Sequence, residues 1–121
     1  MLQKISPILP ALNIDATEMF YKSKLNFKTL RQAGGLVVFN SDIEIHFYKT
    51  SDRDLCEQTS FFIFVNNIQD LFAQLSAQDI ILPQGSLKNN QWGSMEFEII
   101  DNNGIRLRYV EKNLYDNIFK D

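Results

Sequence analysis

Residues 91–111 read QWGSMEFEIIDNNGIRLRYVE, and this stretch decides the fold. Two segments of strand composition, 95–100 and 105–110, flank the tetrapeptide DNNG at 101–104. Because asparagine and glycine adopt positive φ at little cost, the sequence predicts a β-hairpin here. After the turn the side chains alternate between two faces, with Ile105, Leu107 and Tyr109 on one and Arg106, Arg108 and Val110 on the other. Two arginines on one face suit either a solvated hairpin or the wall of a pocket.

Composition and charge limit the classes of protein to which this chain can belong. The 121 residues are 45% hydrophobic and 22% charged, which predicts a single globular domain over residues 1–121. A net charge of −3 argues against a nucleic-acid partner, which requires a basic face. Cys56 is the only cysteine, so neither an intrachain disulfide nor a C-x-x-C zinc site can form. No apolar run has the length of a signal peptide or a membrane span, so we expect a cytoplasmic protein with no membrane partner.

The first half of the chain predicts a strand, a helix and three strands. Residues 5–12 form an apolar segment whose two prolines suit an edge strand or one paired elsewhere. The sequence DATE at 15–18 has the spacing of a capping box, which places Asp15 at the start of a helix. We expect that helix to direct four apolar residues towards the core: Ala16, Met19, Phe20 and Leu25. Strands are predicted at 27–31, 36–39 and 43–49, the last with Glu44, His46 and Tyr48 on its polar face.

The second half repeats this order. Residues 50–59 are polar and lack periodicity, which predicts a linker. A strand follows at 61–65, then a helix capped by Asn66 or Asn67 whose buried face comprises Ile68, Leu71, Phe72 and Leu75. A brief strand at 80–82 and the hairpin complete the set. The chain is therefore predicted to be α+β, with βαβββ modules at 5–50 and 60–111, a curled mixed sheet around a cleft, and a helical tail at 112–121.

The duplicated unit and several spaced motifs resemble one superfamily. They are the PILP segment at 7–10, Phe20-Tyr21 followed by Leu25-x-Phe27, Trp92-Gly93, and Asp101-x-x-Gly104. Together they resemble the vicinal oxygen chelate superfamily with its glyoxalase-like fold. Within it, the chain is similar to the bleomycin resistance proteins of the glyoxalase/bleomycin resistance/dioxygenase family.

The resemblance also implies where a metal would bind in enzymatic members. The corresponding positions hold Ser6 or Pro7, Glu44, Ser60 and Arg108. Only Glu44 could ligate a divalent cation, since serine is a poor ligand and arginine carries a permanent positive charge. His46 lies two residues further along the same strand face, but one Glu/His pair supplies too few ligands. We therefore expect no metal and no cofactor.

A cleft without a metal would present aromatic and polar side chains to a small molecule. The expected ligand-binding residues are Phe39, Glu44, His46, Tyr48, Phe62, Phe64, Trp92, Gly93, Arg106 and Arg108, with Val37 beside them. Two alternatives remain open at this point. Phe62 and Phe64 could be ordinary core residues. Glu44 and His46 could instead pair with Arg108 as a structural ion pair.

Bleomycin resistance proteins are dimers that sequester the drug in grooves at the subunit interface without reacting with it. The resemblance implies a non-catalytic binding protein and a homodimer with exchange of the N-terminal strand. A bleomycin-type glycopeptide is the ligand it suggests. Such a ligand is cationic and carries a flat bithiazole. Two features of this chain depart from what the resemblance implies. Gly35 stands where several of these proteins have an aromatic residue, and the positive charges of Arg106 and Arg108 oppose a cationic ligand. The alternatives are a metal-dependent glyoxalase or dioxygenase-type enzyme, and a metal-free enzyme using His46 as base with Arg108 holding an anion.

Overall fold

The computed structural model describes residues 1–82, 85–89 and 94–111, which form two compact units. The first unit comprises Met1–Thr59 together with Asn102–Ile105. The second comprises the described residues of 60–101 together with those of 106–111. Each unit contains a four-stranded mixed sheet and at least one helix, and neither sheet closes into a barrel. The predicted α+β class is confirmed.

The first unit pairs its first strand with its last. Its elements are β1 (Ile8–Ala11), α1 (Ile14–Ser23), β2 (Lys28–Gln32), β3 (Gly35–Asn40), β4 (Ile43–Lys49) and α2 (Arg53–Glu57). The strand order is β1-β4-β3-β2. Strand β1 runs parallel to β4, and the remaining pairs are antiparallel. The alternation predicted for residues 43–49 therefore belongs to a central strand.

The second unit has the same topology. Its elements are β5 (Ser60–Val65), α3 (Ile68–Ser76), β6 (Lys88–Asn89), β7 (Met95–Ile100) and β8 (Arg106–Glu111). The order is β5-β8-β7-β6, with β5 parallel to β8. The strand predicted at 80–82 reduces to an isolated bridge between Ile81 and Ile99, and β6 was not predicted. The predicted tail at 112–121 lies outside the described residues.

Helix α1 buries a different face from the one predicted. Asn13 caps it, its side chain accepting from the Ala16 N–H at 2.9 Å, so the helix starts before the expected cap at Asp15. Thr17 and Tyr21 are fully buried, whereas Met19 is 66% exposed. The prediction failed because it counted apolar residues only. A threonine whose hydroxyl is hydrogen-bonded, and a tyrosine packed edge-on against aromatic rings, can fill a core as well as methionine does.

The predicted linker at 50–59 contains a short helix instead. The Asp52 side chain accepts from the Leu55 N–H at 3.0 Å and caps α2, which buries Cys56 completely. Five residues are too few to show helical periodicity, so the sequence pattern could not reveal it. Helix α3 begins at Ile68, after Asn67, which was one of the two expected cap residues. Asn67 has a φ of +53° and makes no side-chain capping bond. Within the described ranges, no helix is long and apolar enough to cross a membrane.

The hairpin turn, residues 102–105, packs within the first unit although its flanking strands belong to the second. Asn103 is 1% exposed, and its Oδ1 accepts from the Leu12 N–H at 2.9 Å. The buried Thr17 hydroxyl donates to the Asn13 carbonyl at 2.7 Å and accepts from Asn103 Nδ2 at 3.2 Å. Gly104 has φ of +98°, the conformation that the DNNG sequence predicts for a tight turn. Buried polar contacts therefore hold the turn in place.

Replacing Asn103 tests this anchoring. Asn103→Ala leaves the Leu12 N–H and the Thr17 hydroxyl without their amide partner, so the free energy of unfolding should fall by about 1–3 kcal/mol. Urea denaturation measures the loss. The matched control is Asn66→Ala at an exposed position, expected within about 0.5 kcal/mol of the parent. Equal stability of the two variants would contradict the anchoring role.

Candidate functional site

In each unit one face of the sheet packs on a helix and the other is open. Alternation along the paired strands defines both open faces. The first open face includes Ile8, Val37, Phe39, Glu44, His46 and Tyr48, with Lys28 and Leu30 of β2 beside them. The second open face includes Ser60, Phe62, Phe64, Lys88, Glu96, Glu98, Ile100, Arg106, Arg108 and Val110, of which Val110 is buried. Eight of the ten predicted ligand-binding residues lie on these faces, and Trp92 and Gly93 fall outside the described residues.

The first open face combines apolar side chains with one charged cluster. His46 lies in a row between Ile8 and Val37, on the central strand β4. Val37 is 8% exposed, Phe39 is half-buried, and Tyr48 is 42% exposed. This face therefore offers aromatic and aliphatic surface around a histidine.

Glu44 is the centre of the charged cluster. Lys4 Nζ donates to Oε1 at 2.8 Å, while His46 Nε2 and Ser6 Oγ lie 2.7 and 3.2 Å from Oε2. The hydrogen bond from Lys4, followed by that from His46, lowers the pKa of Glu44 to about 2. Glu44 is therefore a carboxylate at neutral pH, with several of its acceptor positions already engaged.

These side chains do not fit the metal site of the enzymatic superfamily members. The Lys4 ammonium binds the one carboxylate that could ligate a cation. The corresponding positions in the second unit hold the Ser60 hydroxyl and the Arg108 guanidinium, neither of which is a suitable ligand. Among the described side chains, no three His, Cys, Asp or Glu residues are grouped so that they could hold a metal ion. The donor set favours a site that works through hydrogen bonds and stacking.

The second open face carries an exposed aromatic pair. Phe62 and Phe64 stack at a centroid distance of 6.2 Å and an interplanar angle of 18°. They are 53% and 47% exposed, while Ile63 on the opposite side of β5 is buried. Within the described chain they are therefore not ordinary core residues. Two parallel rings open to solvent are suited to bind a flat molecule by stacking.

Both arginines on this face share one carboxylate. Arg108 Nε donates to Glu98 Oε2 at 2.9 Å, and its Cζ lies 5.8 Å from the centroid of the Phe62 ring. Arg106 Nε is 3.9 Å from Glu98 Oε1. Arg108 pairs with Glu98 on its own sheet, and Glu44 is bound by Lys4 and His46 within the first unit. Sequence reasoning missed Glu98. Counting outward from the four residues DNNG places it opposite Leu107, whereas Ile105 also belongs to the turn and Glu98 therefore pairs with Arg108.

The backbone around Gly35 leaves no room for the aromatic side chain that the resemblance implies at this position. A Cβ at this position would lie 2.6 Å from the carbonyl oxygen of Phe47 on the neighbouring strand. Such a contact requires the strands to move apart, so no larger side chain fits this arrangement of β3 and β4. Any stacking on this face must therefore come from other aromatic residues.

Curated relatives resemble this chain along most of its length, although no protein-family model matches it. Bleomycin resistance proteins from Geobacillus stearothermophilus and from Staphylococcus aureus are 29% identical over 119 residues. The match covers 84% of this chain and 89% of each relative.

Solved structures share the fold. The bleomycin resistance determinant encoded on the transposon Tn5 superposes with a TM-score of 0.79 at 21% identity, covering 91% of this chain and 98% of the other. The bleomycin-binding protein from Streptomyces verticillus, solved as a complex with copper(II)-bleomycin, gives 0.77 at 20% identity, covering 92% and 98%. The chain is therefore similar in sequence to bleomycin resistance proteins and shares the fold of the solved bleomycin-binding structures.

Proposed function

We propose that this protein is a non-catalytic binding protein that sequesters a drug or a related small molecule of the bleomycin type. The observation that carries the proposal is the exposed, stacked pair Phe62 and Phe64 on an open sheet face. A flat heteroaromatic group can stack on such rings. The sequence relatives named as bleomycin resistance proteins support the ligand class.

The proposed ligand-binding residues lie on the open face of one unit or of the other, apart from two in the Trp-Gly motif. They are Phe39, Glu44, His46, Tyr48, Phe62, Phe64, Arg106 and Arg108, together with Trp92 and Gly93 at the Trp-Gly motif. Aromatic side chains supply contact area, and the charged groups orient the bound molecule. Glu44 supplies negative charge to a cationic ligand.

Binding is favoured over a reaction by the chemistry of these groups. Glu44 is a poor general base, because a carboxylate with a pKa near 2 has little affinity for a proton at neutral pH. The donor set does not suit a catalytic metal. Sequestration requires only affinity, which stacking and hydrogen bonds provide.

We further propose a cytoplasmic homodimer in which the N-terminal strands are exchanged. Met1, Leu2 and Ile5 are almost fully exposed, and Ile8 on the edge strand β1 is 68% exposed. Apolar residues concentrated in one extended segment favour burial against a partner. A second copy offers an equivalent sheet for that segment, as expected of a two-fold interface.

Bleomycin titration tests the binding function. Trp92 is the only tryptophan, so its fluorescence reports on the proposed groove. We expect saturable quenching by bleomycin, and Phe62→Ala should weaken the affinity by about two- to tenfold through loss of ring stacking. Leu55→Ala, an exposed apolar truncation on α2, is the control and should leave the affinity unchanged. Absence of quenching at millimolar drug, confirmed by calorimetry, would remove the proposed function.

The dimer is tested by a matched pair of charge insertions. Ile8→Lys places a charge at the proposed interface, whereas Met19→Lys places one at a similarly exposed apolar residue on α1. Light scattering at micromolar concentration should give a dimer for the parent and for Met19→Lys, and a monomer for Ile8→Lys. A monomeric parent protein would overturn the proposed assembly.

A further inference from the structure

The second open face carries more positive than negative charge, in contrast to the chain as a whole. By strand register it presents three basic residues and two acidic ones: Lys88, Arg106, Arg108, Glu96 and Glu98. The whole chain carries a net charge of −3. The positive balance is therefore a local feature of the face that holds the aromatic pair.

Glu98 pairs with both arginines, but at unequal distances. It makes a hydrogen bond with Arg108 Nε at 2.9 Å, whereas Arg106 Nε stays 3.9 Å away. Both contacts use Nε, and a guanidinium has two further nitrogens that donate in a fork matched to an oxyanion. Arg106 and Arg108 are 53% and 42% exposed at their side chains, so a ligand can reach those nitrogens.

The aromatic pair and the arginines lie side by side on paired strands. Phe62 is the register partner of Arg108, and Ser60, next to it on the same face of β5, is the partner of Arg106. The Arg108 guanidinium lies 5.8 Å from the Phe62 ring centroid. A flat molecule stacked on Phe62 would place a substituent at its edge within reach of one or both guanidinium groups.

From this arrangement we infer that the second open face prefers a flat aromatic ligand bearing a carboxylate or sulfonate over neutral or cationic molecules of the same shape. The inference rests on the proposed small-molecule binding function and concerns only the group bound on the second open face, whereas Glu44, which suits a cation, lies on the first. The ring binds by stacking on Phe62 and Phe64. The oxyanion accepts hydrogen bonds from Arg106 and Arg108 and shares them with Glu98.

A matched probe series measures this preference. The three probes are 2-naphthoate, 2-naphthamide and 2-naphthylmethylammonium, which share one ring system and differ in charge. At low ionic strength, calorimetry or ligand-observed NMR should show naphthoate binding about tenfold more tightly than naphthamide, and the ammonium compound most weakly. Added salt should reduce these differences.

Three substitutions assign the preference to this face. Arg106→Gln should reduce the affinity for naphthoate at least severalfold and leave that for naphthamide nearly unchanged. Glu98→Gln removes the competing carboxylate, so it should strengthen naphthoate binding. Arg53→Gln removes the same charge from α2 and is the control, expected to match the parent.

The outcomes separate the inference from the function on which it rests. Equal binding of all three probes, a preference for the ammonium compound, or identical effects of Arg106→Gln and Arg53→Gln would overturn the anion preference while leaving small-molecule binding intact. Failure of every probe and of bleomycin to bind would overturn both.

Discussion

The parallel pairing of the first and last strands of each unit is the constraint on which the rest depends. Two parallel neighbours cannot be joined by a tight turn, so the chain must cross over the sheet between them. In the first unit, α1 lies in that crossover and packs on one side of the sheet; α3 does the same in the second. One face of each sheet is thereby committed to the core. The opposite face carries the side chains that alternate with those core residues.

Strand alternation could be predicted because each central strand has one buried and one open face. Strand β4 and the hairpin strand β8 alternate as the sequence indicates, with Ile45, Phe47 and Leu107 buried. The helix faces were harder to predict. Thr17 and Tyr21 look polar in a sequence, yet hydrogen bonds and aromatic packing bury them completely. Burial follows from whether polar atoms find partners, which a one-dimensional pattern does not contain.

The predicted site residues separate into two groups with different electrostatics. Glu44, His46 and Lys4 form a hydrogen-bonded cluster beside apolar side chains on the first open face. Phe62, Arg108 and Glu98 form a second cluster in which a ring, a cation and an anion are neighbours. Asn103 anchors the hairpin turn, and the same turn sets the register that pairs Glu98 with Arg108. The stability of the turn and the position of this second cluster are therefore linked. Turn chemistry therefore determines where the charges of the site lie.

The central claim is that the open faces of the two sheets bind the ligand and leave it chemically unchanged. The most direct test is side-chain NMR of isotopically labelled protein titrated with bleomycin. The aromatic resonances of Phe62 and Phe64 should shift progressively, while the methyl resonances of Ile63 and Ile99, which face α3, should move little. The spectrum of the drug should return unaltered after its release. Shifts confined to the helix-facing side chains, or a drug modified after incubation, would contradict the account.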